Sequence, residues 1–402
     1  MMPTIESFYP KMKQQTKAID TPFQKKDAYG ALAMPVYHTC AYEFETAAQM
    51  TDAFTGRVLE PDYSRVMNPT VTYFENKVKA MTGAEHVFAF NSGMQAIVNA
   101  LLSVVEAGKC IVTSPHLFGN SYALITKTMA RLGVKNKVVN LTDLEEVEEA
   151  LDDESVCCLY LEIITNPQME VADLKTLAER CHRREVLLIA DTTMIPFTEF
   201  RAGDLGVDVE VVSSTKYLSG GATSLGGLVI DYGTHPEVNR RIRNELLFNI
   251  GGYMTPHAAY MQSLGLETLA ARYAVQQQHT LTVARALQQL PQIKQVNYLG
   301  LEENRYYALA RQQFGPTSGC MLTIDLDSEQ ACYDFINSLK LIRRATNLFD
   351  NKTLAIHPYS TIFGNFTPEE KAAMDVLPTT IRLSIGLEDT DDILSDIKQA
   401  LG

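Results

Sequence analysis

The strongest constraint on this 402-residue chain is a series of short apolar runs that alternate with helical stretches. Six such runs lie between residues 86 and 214: HVFAF, KCIVTS, KVVNL, VCCLYLE, VLLIAD and VDVEVVSS. Strands that are apolar along most of their length are typical of a sheet that helices cover on both faces. The alternation therefore predicts an α/β fold built on a mostly parallel sheet.

After residue 255 this rhythm changes. One long helical stretch covers residues 260–290, and fewer strands follow, CMLTIDL and TIRLSIG, before the closing helix DTDDILSDIKQALG. These features predict a smaller α+β domain over 256–402, after an α/β domain over 63–255. Residues 1–62 lack clear periodicity, and we expect them to form an N-terminal arm that contacts a neighbouring subunit.

The composition of the chain argues against several classes of function. The formal net charge of −13 argues against a nucleic-acid partner, because phosphate contacts need a basic surface. No basic amphipathic stretch indicates a membrane partner, and the first residues have no signal-peptide pattern. The seven cysteines form no CxxC pair and show no metal-ligand spacing. We therefore expect reduced thiols, a cytoplasmic location and no metal site.

The residues after the predicted strands are informative, because ligands in open α/β sheets bind at the carboxyl ends of strands. HVFAF is followed by Asn91-Ser92-Gly93-Met94, where a helix begins. The first backbone N–H groups of a helix suit a phosphate group. The simpler alternative is an ordinary helix start that Ser92 caps.

Two other strand ends carry ionisable residues. VLLIAD ends in Asp191, with Thr193 close by, and VDVEVVSS leads to Thr215 and Lys216. Alone, an aspartate there is often a turn former, and a lysine is usually a solvated surface charge. The sequence SSTK also fits the S-x-x-K pattern of serine acyl-enzymes, but the companion motifs S-D-N and K-T-G do not occur.

Taken together, a phosphate cradle, a carboxylate and a lysine meet the needs of one cofactor, pyridoxal phosphate. Backbone amides and hydroxyls bind the phosphate, the carboxylate keeps the pyridine nitrogen protonated, and the amine forms a Schiff base with the aldehyde. A lysine in a cationic, partly desolvated site becomes less basic and can act as nucleophile and base. The sequence therefore predicts a pyridoxal phosphate enzyme.

From about residue 28 to the C-terminus, the chain resembles the Cys/Met-metabolism family of pyridoxal phosphate enzymes. The matching motifs, in order, are YSRVMNPT, NSGMQAI, LEIITNP, ADTT, SSTKYLSGG, GLETL, IHPYST and IRLSIGLED. The resemblance implies the aspartate-aminotransferase-like fold and a small-molecule amino-acid substrate. The family includes O-acetylhomoserine sulfhydrylase, cystathionine γ-synthase, cystathionine γ-lyase and methionine γ-lyase.

The resemblance also implies a role for each matching residue. Lys216 holds the cofactor and acts in catalysis, and Arg382 binds the substrate α-carboxylate through a bidentate fork, with Asn347 near it. The other implied cofactor contacts are Gly93, Met94, Ser213 and Thr215 at the phosphate, Asp191 with Thr193 beside it at the ring nitrogen, Asn166 at the ring hydroxyl, and Phe118 stacked on the ring.

Members of this family are homotetramers, dimers of dimers with shared active sites. Tyr63 and Arg65 are implied to reach the phosphate in a neighbouring subunit, which explains their place beside the N-terminal arm. Tyr63 is also implied to contact the substrate and to take part in catalysis.

Several positions depart from the family pattern. Phe118 stands where a tyrosine usually stacks on the ring, and a phenylalanine has no hydroxyl to protonate a leaving group. Because a thiolate needs that proton more than an acetate does, this favours an acyl-homoserine substrate. Asn120, in place of the cysteine common in methionine γ-lyases, points the same way. Tyr63 of a neighbouring subunit and Tyr122 are the other candidate proton donors.

Three further positions depart from the family pattern: Val212 replaces a histidine, Thr192 replaces an asparagine, and Asn347 replaces a serine.

The sequence thus predicts a γ-replacement enzyme that makes homocysteine from O-acetylhomoserine and sulfide. A γ-lyase, which releases 2-oxobutanoate, shares these residues and is the main alternative. A cystathionine γ-synthase, which uses cysteine in place of sulfide, is intermediate. A catalytically idle homologue that binds the cofactor is the alternative outside enzymes, and the near-complete set of chemical groups argues against it.

Overall fold

The structure, a computed structural model, describes residues 12–21 and 29–402. It divides into two compact units. Unit 1 contains the described residues up to Val104, with Asp208–Ser219 and Thr223–Thr268. Unit 2 contains Val105–Val207, Gly220–Ala222 and Leu269–Gly402.

Unit 1 contains both short and long helices. The helix α3, Pro69–Thr82, shows how the sequence sets its ends: Asn68 caps it, Pro69 occupies its first turn, and Gly83 ends it in the left-handed conformation at φ 72°. Its apolar face buries Phe74, Val78 and other residues. The helices of this unit are α1 Gln14–Ile19, α2 Ala47–Phe54, α3 Pro69–Thr82, α4 Gly93–Leu102, α8 Pro236–Arg241 with a π-helical continuation Ile242–Leu246, α9 Leu247–Asn249 and the start of α10 Pro256–Leu287.

Three strands of unit 1 lie side by side: β1 (His86–Phe90), β7 (Gly227–Asp231) and β6 (Val209–Val212). The strand β7 is central and antiparallel to both neighbours. Phe90 pairs with Gly227, and Val212 pairs with Leu228. The carboxyl ends of β1 and β6 therefore lie at the same end of β7, and the residues that follow them leave the sheet together.

Unit 2 contains four parallel strands in the order β5-β4-β2-β3. They are β2 Cys110–Thr113, β3 Lys135–Val138, β4 Val156–Glu162 and β5 Leu187–Asp191. Helices and turns connect them: α5 Gly119–Ala123, continued by a π-helical stretch Leu124–Met129 and a 3₁₀ turn Ala130–Leu132, α6 Leu144–Leu151 and α7 Leu174–His182, with a later 3₁₀ turn at Ala202–Leu205. The last residues of β4 and β5, Glu162 and Asp191, face each other in register.

A second sheet in unit 2 has the order β10-β11-β12-β9-β8. Its strands are β8 Gln295–Asn297, β9 Met321–Asp325, β10 Arg343–Arg344, β11 Leu354–Ile356 and β12 Thr380–Ser384. The helices around it are α11 Tyr307–Phe314, α12 Glu329–Ser338, α13 Pro368–Ala373 and α14 Thr390–Leu401, with a 3₁₀ turn Pro358–Ser360. Alternate residues of β9 and β12, such as Leu322 and Leu383, pack on Phe335 of α12 and Ile397 of α14 in one apolar core.

The architecture confirms the α/β prediction and differs from it in places. Strand β3 begins two residues before the predicted run KVVNL, and β7 was not predicted as a strand. The predicted arm over 1–62 contains the helices α1 and α2, while its residues 1–11 and 22–28 lie outside the described residues. The division at residues 62 and 255 remains a prediction. In the described part of the chain, no helix is long and apolar enough to cross a membrane.

Candidate active site

In unit 1, the turn after β6 carries Lys216. The Lys216 N–H donates to the carbonyl oxygen of Ser213 at 3.1 Å, so the chain bends directly after the strand. The Thr215 hydroxyl accepts the N–H of Gly226 at 2.9 Å and lies 3.1 Å from the Gly226 carbonyl oxygen, to which it donates. These bonds fix the turn against the start of β7. Lys216 itself is half-buried.

The start of α4 lies against the same turn. A Cβ atom at Gly93 would be 2.7 Å from Cβ of Ser213, and one at Gly227 would be 2.2 Å from the Ser92 carbonyl oxygen. Glycine is therefore required at both positions for the backbones to approach this closely. The Ser92 hydroxyl caps the helix by accepting the Gln95 N–H at 3.2 Å. The cap leaves the first-turn N–H groups of Gly93 and Met94 without partners inside the helix.

Tyr63 and Arg65 form a second group in unit 1. The Arg65 guanidinium lies 5.5 Å from the centre of the Tyr63 ring, and it donates to the carbonyl oxygens of Phe248 and Leu247 at 2.5 and 3.3 Å. The Tyr63 side chain is 43% exposed, and its backbone pairs with Ala41 in an isolated bridge. The structure therefore brings these two residues together at an accessible surface.

In unit 2, Asp191 lies at the end of β5. One of its carboxylate oxygens accepts the Thr193 N–H at 2.9 Å. Glu162 lies opposite it on β4, and burial together with the charge of Asp191 raises the pKa of Glu162 well above its usual range. Burial and the same two carboxylates raise the pKa of Tyr160 as well. Glu162 and Tyr160 thus lie beside Asp191, the group proposed for the ring nitrogen, and burial opposes the ionisation of both.

Phe118 lies in the loop between β2 and α5. Its backbone N–H donates to Oε1 of Glu162 at 2.6 Å, and its side chain is half-buried. The next residue, Gly119, is close to the carbonyl oxygen of Ile362, which a Cβ atom at position 119 would approach to 3.1 Å. The backbone on both sides of the Phe118 side chain is therefore held. Thus Phe118, Glu162 and Asp191 lie together.

Arg382 lies on β12 and is 1% exposed. Its guanidinium donates to the Asn166 side-chain oxygen at 3.2 Å and to the carbonyl oxygens of Thr346 and Asn347 at 2.9 and 3.2 Å. Its Nε is buried without a hydrogen-bond partner among the described residues, and burial lowers the pKa of Arg382 to about 10. The side-chain amide of Asn347 donates to Asp350 at 3.2 Å. Asn166 and Asn347 thus both contact the Arg382 guanidinium, whose Nε–H remains available to donate to a ligand.

Two features of unit 2 were missed by the sequence analysis. Glu162 has no predicted role, although it is the last residue of a buried strand, as Asp191 is, and that signal could have found it. His116 lies between the carboxylates of Glu170 and Asp375. No local signal indicates this contact, because Asp375 is 259 residues away in sequence.

Helix N-terminal amides, a lysine after β6 and a carboxylate after β5 are the groups that a pyridoxal phosphate enzyme requires. The chain belongs to the Cys/Met metabolism PLP-dependent enzyme family, whose model matches residues 15–402. Pyridoxal phosphate is therefore its cofactor, and the protein is an enzyme of sulfur amino-acid metabolism.

Two relatives with similar identity to this chain are named for different activities. An L-methionine gamma-lyase of Fusobacterium nucleatum subsp. nucleatum is 34% identical over 379 residues, which cover 94% of this chain and 95% of that protein. An O-acetyl-L-homoserine sulfhydrylase of Corynebacterium glutamicum is 30% identical over 398 residues, or 91% of each protein.

A solved structure confirms the predicted fold. It is a putative O-acetylhomoserine (thiol)-lyase from Campylobacter jejuni subsp. jejuni that contains N'-pyridoxyl-lysine-5'-monophosphate. It superposes with a TM-score of 0.93 at 28% identity and covers 97% of this chain and 100% of that chain. The aspartate-aminotransferase-like fold expected from the motifs is therefore present.

Proposed function

We propose that this protein is an O-acetylhomoserine sulfhydrylase, in which sulfide replaces the acetate group at Cγ and homocysteine is formed. The observation that carries the proposal is Phe118, whose backbone is fixed by Glu162 and whose ring has no hydroxyl. Acetate is a weak base and leaves from an ester without a strong proton donor. A thiolate leaving from methionine or cystathionine needs a proton, and such assistance is worth roughly 100-fold or more.

The residues of unit 1 supply a fitting phosphate site. Gly93 and Gly227 let the first turn of α4 approach Ser213 and the start of β7 closely, so the helix N-terminal amides and the Ser213 hydroxyl lie side by side. The amides of Gly93 and Met94 and the hydroxyls of Ser213 and Thr215 would bind the phosphate, and Lys216 would bind the aldehyde. When bound, the cofactor supplies an electron-withdrawing pyridine ring that acidifies the substrate Cα–H bond.

The residues of unit 2 would hold the ring and the substrate. Asp191 would pair with the ring nitrogen, Asn166 would face the ring hydroxyl, and Phe118 would stack on the ring face. Arg382 would bind the α-carboxylate, because its guanidinium is buried and its Nε is unpaired. The amide and carbonyl oxygens that already hold Arg382 would keep the fork in place for a bidentate contact.

Lys216 would move the protons of the reaction. Its Nζ, as a free amine, would carry one proton at a time: it would take the proton from Cα, give it up, and only then take one from Cβ. Acetate then leaves Cγ with the bonding electrons, hydrosulfide adds at the same carbon, and the protons return to Cβ and Cα. The sum is O-acetylhomoserine plus hydrogen sulfide giving homocysteine plus acetic acid.

The N-terminal region supports assembly into the homotetramer expected for the family. Its described part exposes apolar side chains, and Tyr29 and Leu32 are almost fully accessible in the single chain. Burying them against another copy would be favourable. In such an assembly, Tyr63 and Arg65 would reach the phosphate of the neighbouring subunit, where Tyr63 could also contact the substrate. The cytoplasm is the proposed location.

A methionine γ-lyase is the second candidate, and the relative at 34% identity favours it. In that enzyme Cγ would lose methanethiol, and the carbon skeleton would be released as 2-oxobutanoate and ammonia. A proton donor other than Phe118, such as the half-buried Tyr122 or the partner's Tyr63, would then be required. Cystathionine γ-synthase activity would need cysteine as the acceptor at the same carbon.

Product analysis separates these candidates. The purified holoenzyme would be incubated with O-acetylhomoserine, with and without sulfide, and separately with methionine. We expect homocysteine only when sulfide is present and no methanethiol from methionine. The Lys216→Ala variant measures the uncatalysed reaction of ester with sulfide. Release of 2-oxobutanoate and methanethiol from methionine at a comparable rate would contradict the proposal.

A further inference from the structure

The loop that carries Phe118 has a second anchor besides Glu162. Two residues before Phe118, the His116 ring lies between two carboxylates: its Nε2 is 2.9 Å from Oδ2 of Asp375, and its Nδ1 is 3.2 Å from Oε1 of Glu170. The His116 backbone N–H also donates to the Ser114 hydroxyl at 2.9 Å. The loop is therefore held through a side chain as well as through its backbone.

The geometry itself indicates the charge of His116. A neutral imidazole has one N–H donor and one lone pair, whereas an imidazolium has two N–H donors. Nε2 makes a hydrogen bond to Asp375, whereas Nδ1 makes none among the described residues and lies at ion-pair distance from Oε1 of Glu170. Two carboxylates within 3.2 Å of a largely buried ring favour its protonated form. The side chains of His116 and Glu170 are only 12% and 8% exposed, so water screens this pair weakly.

Glu170 is itself fixed from the side opposite His116. Its Oε2 accepts the Tyr306 hydroxyl at 3.1 Å and lies 3.8 Å from the Arg305 guanidinium. Its backbone N–H donates to the Thr165 hydroxyl at 3.0 Å. Thr165 is adjacent to Asn166, which contacts Arg382. His116 therefore ties the Phe118 loop to the loop that carries Asn166.

We propose that His116, as an imidazolium between Glu170 and Asp375, is a positioning residue that sets where the Phe118 ring lies. The inference rests on the proposed place of Phe118 against the cofactor ring. When His116 loses its proton, the ring no longer carries the charge that both carboxylates attract, and the loop loses an anchor. The backbone hydrogen bonds of this segment, such as Phe118 N–H to Glu162 and His116 N–H to Ser114, and the packing around Gly119 then remain to hold it.

This anchor depends on pH with a definite sign. Burial lowers the pKa of His116, but Glu170 and then Asp375 raise it more, and the net direction is upward from the ordinary 6.5. Among the described residues, the other charged or titratable groups that face this contact are Arg305 and Tyr306, both next to Glu170. The stabilisation of the loop by protonated His116 is therefore fully present below pH 6.5. It is lost as the pH rises through the raised pKa of His116.

A single tryptophan can report the position of residue 118, because the sequence contains no tryptophan. The emission of a Phe118→Trp holoenzyme would be followed from about pH 6 to about pH 9, next to the double variant that adds His116→Gln. We expect cofactor-dependent quenching that changes with a midpoint above 6.5 in the single variant, and no such transition in the double variant. Adding Asp375→Asn instead, a change at a carboxylate that is 73% exposed, should lower the midpoint without loss of folding.

Activity gives an independent readout in the chain with the native Phe118. His116→Gln should reduce kcat/KM about 10-fold near pH 6, and the difference from wild type should vanish towards pH 9. The exposed His257→Gln is the matched control and should follow wild type throughout.

Three outcomes would overturn the proposal. They are an equal loss of activity at every pH, a fluorescence transition that persists without His116, and emission that does not respond to the cofactor at all. The fluorescence transition does not depend on which amino acid is turned over. Methionine cleavage by an enzyme that retains the His116 transition would therefore defeat the proposed function and leave this inference standing.

Discussion

The backbone N–H of Phe118 donates to Oε1 of Glu162 at 2.6 Å, and Glu162 faces Asp191 across two parallel strands. Burial and the neighbouring Asp191 raise the pKa of Glu162 well above its usual range. Asp191, the group proposed for the ring nitrogen, therefore lies beside a carboxyl group whose ionisation burial opposes. The same side chain thus holds the Phe118 backbone and lies next to Asp191.

The absence of a hydroxyl on the Phe118 ring can be tested by restoring it. Phe118→Tyr should raise kcat/KM for elimination from methionine or cystathionine by roughly 100-fold, because a proton donor would now serve the departing thiolate. Turnover of O-acetylhomoserine should change much less. Rates for the two substrate classes are compared in the same preparation, with Phe366→Tyr, another ring near Gly119, as the control. Equal effects on both classes would refute the leaving-group argument.

Lys216→Ala should remove the Schiff-base absorbance of the bound cofactor, because no other residue of the turn after β6 carries an amine. The measurement is the visible spectrum of the purified protein after addition of pyridoxal phosphate. Lys175→Ala, at an exposed lysine on α7, should keep the band. A band that persists in Lys216→Ala would show that a different amine holds the cofactor.

Arg382→Lys should raise KM for every amino-acid substrate by roughly 10- to 100-fold, since a lysine keeps the charge but loses the fork. The effect on kcat should be smaller, because the α-carboxylate is bound equally in substrate and transition state. Steady-state kinetics would be compared with those of Arg343→Lys, at an exposed residue on the edge strand β10. An unchanged KM would remove Arg382 from the carboxylate site.

Glu75 predicts a pH dependence of stability that is separate from catalysis. Its carboxylate accepts the Ala89 N–H at 2.9 Å. Burial raises the pKa of Glu75 from 4.5 to about 7, against the opposing effects of the Ala89 hydrogen bond and of Arg243. The native state therefore holds this proton more tightly than the unfolded state. The associated stability is complete below 4.5 and is lost as the pH rises through about 7.

The variant Glu75→Gln keeps the acceptor and removes the titration. Its loss of unfolding free energy between about pH 5 and about pH 8 should be smaller than that of wild type, by up to ~1.4 kcal/mol for each unit of raised pKa. Denaturant unfolding at the two pH values measures this difference. Glu149→Gln, at an exposed position on α6, should behave as wild type. A wild-type pH dependence in Glu75→Gln would mean that another group titrates.

Long apolar runs were the best guide to the fold. The strands β1 and β4 have the bounds of the predicted runs HVFAF and VCCLYLE, because a strand buried on both faces is apolar from end to end. The helix α4 begins at Gly93, where the sequence predicted it. Those elements are defined by their own residues, so the sequence alone is enough to place them.

Elements that depend on distant partners could not be placed in this way. The strand β7 directly follows the Lys216 turn and runs antiparallel, which breaks the strand–helix alternation. The strands β8, β10 and β11 have two or three residues each, too few for any periodicity. Likewise, the pairing of His116 with Glu170 and Asp375 depends on three loops that only the fold brings together.

The most direct test of the central claim is the partition of one substrate as sulfide is varied. With saturating O-acetylhomoserine, the rates of homocysteine and 2-oxobutanoate formation would be measured at increasing sulfide concentrations. A γ-replacement enzyme should form homocysteine at a rate that rises to a plateau, while any 2-oxobutanoate falls towards zero. A 2-oxobutanoate rate that stays constant and exceeds homocysteine formation at every sulfide concentration would contradict the account and identify a γ-lyase.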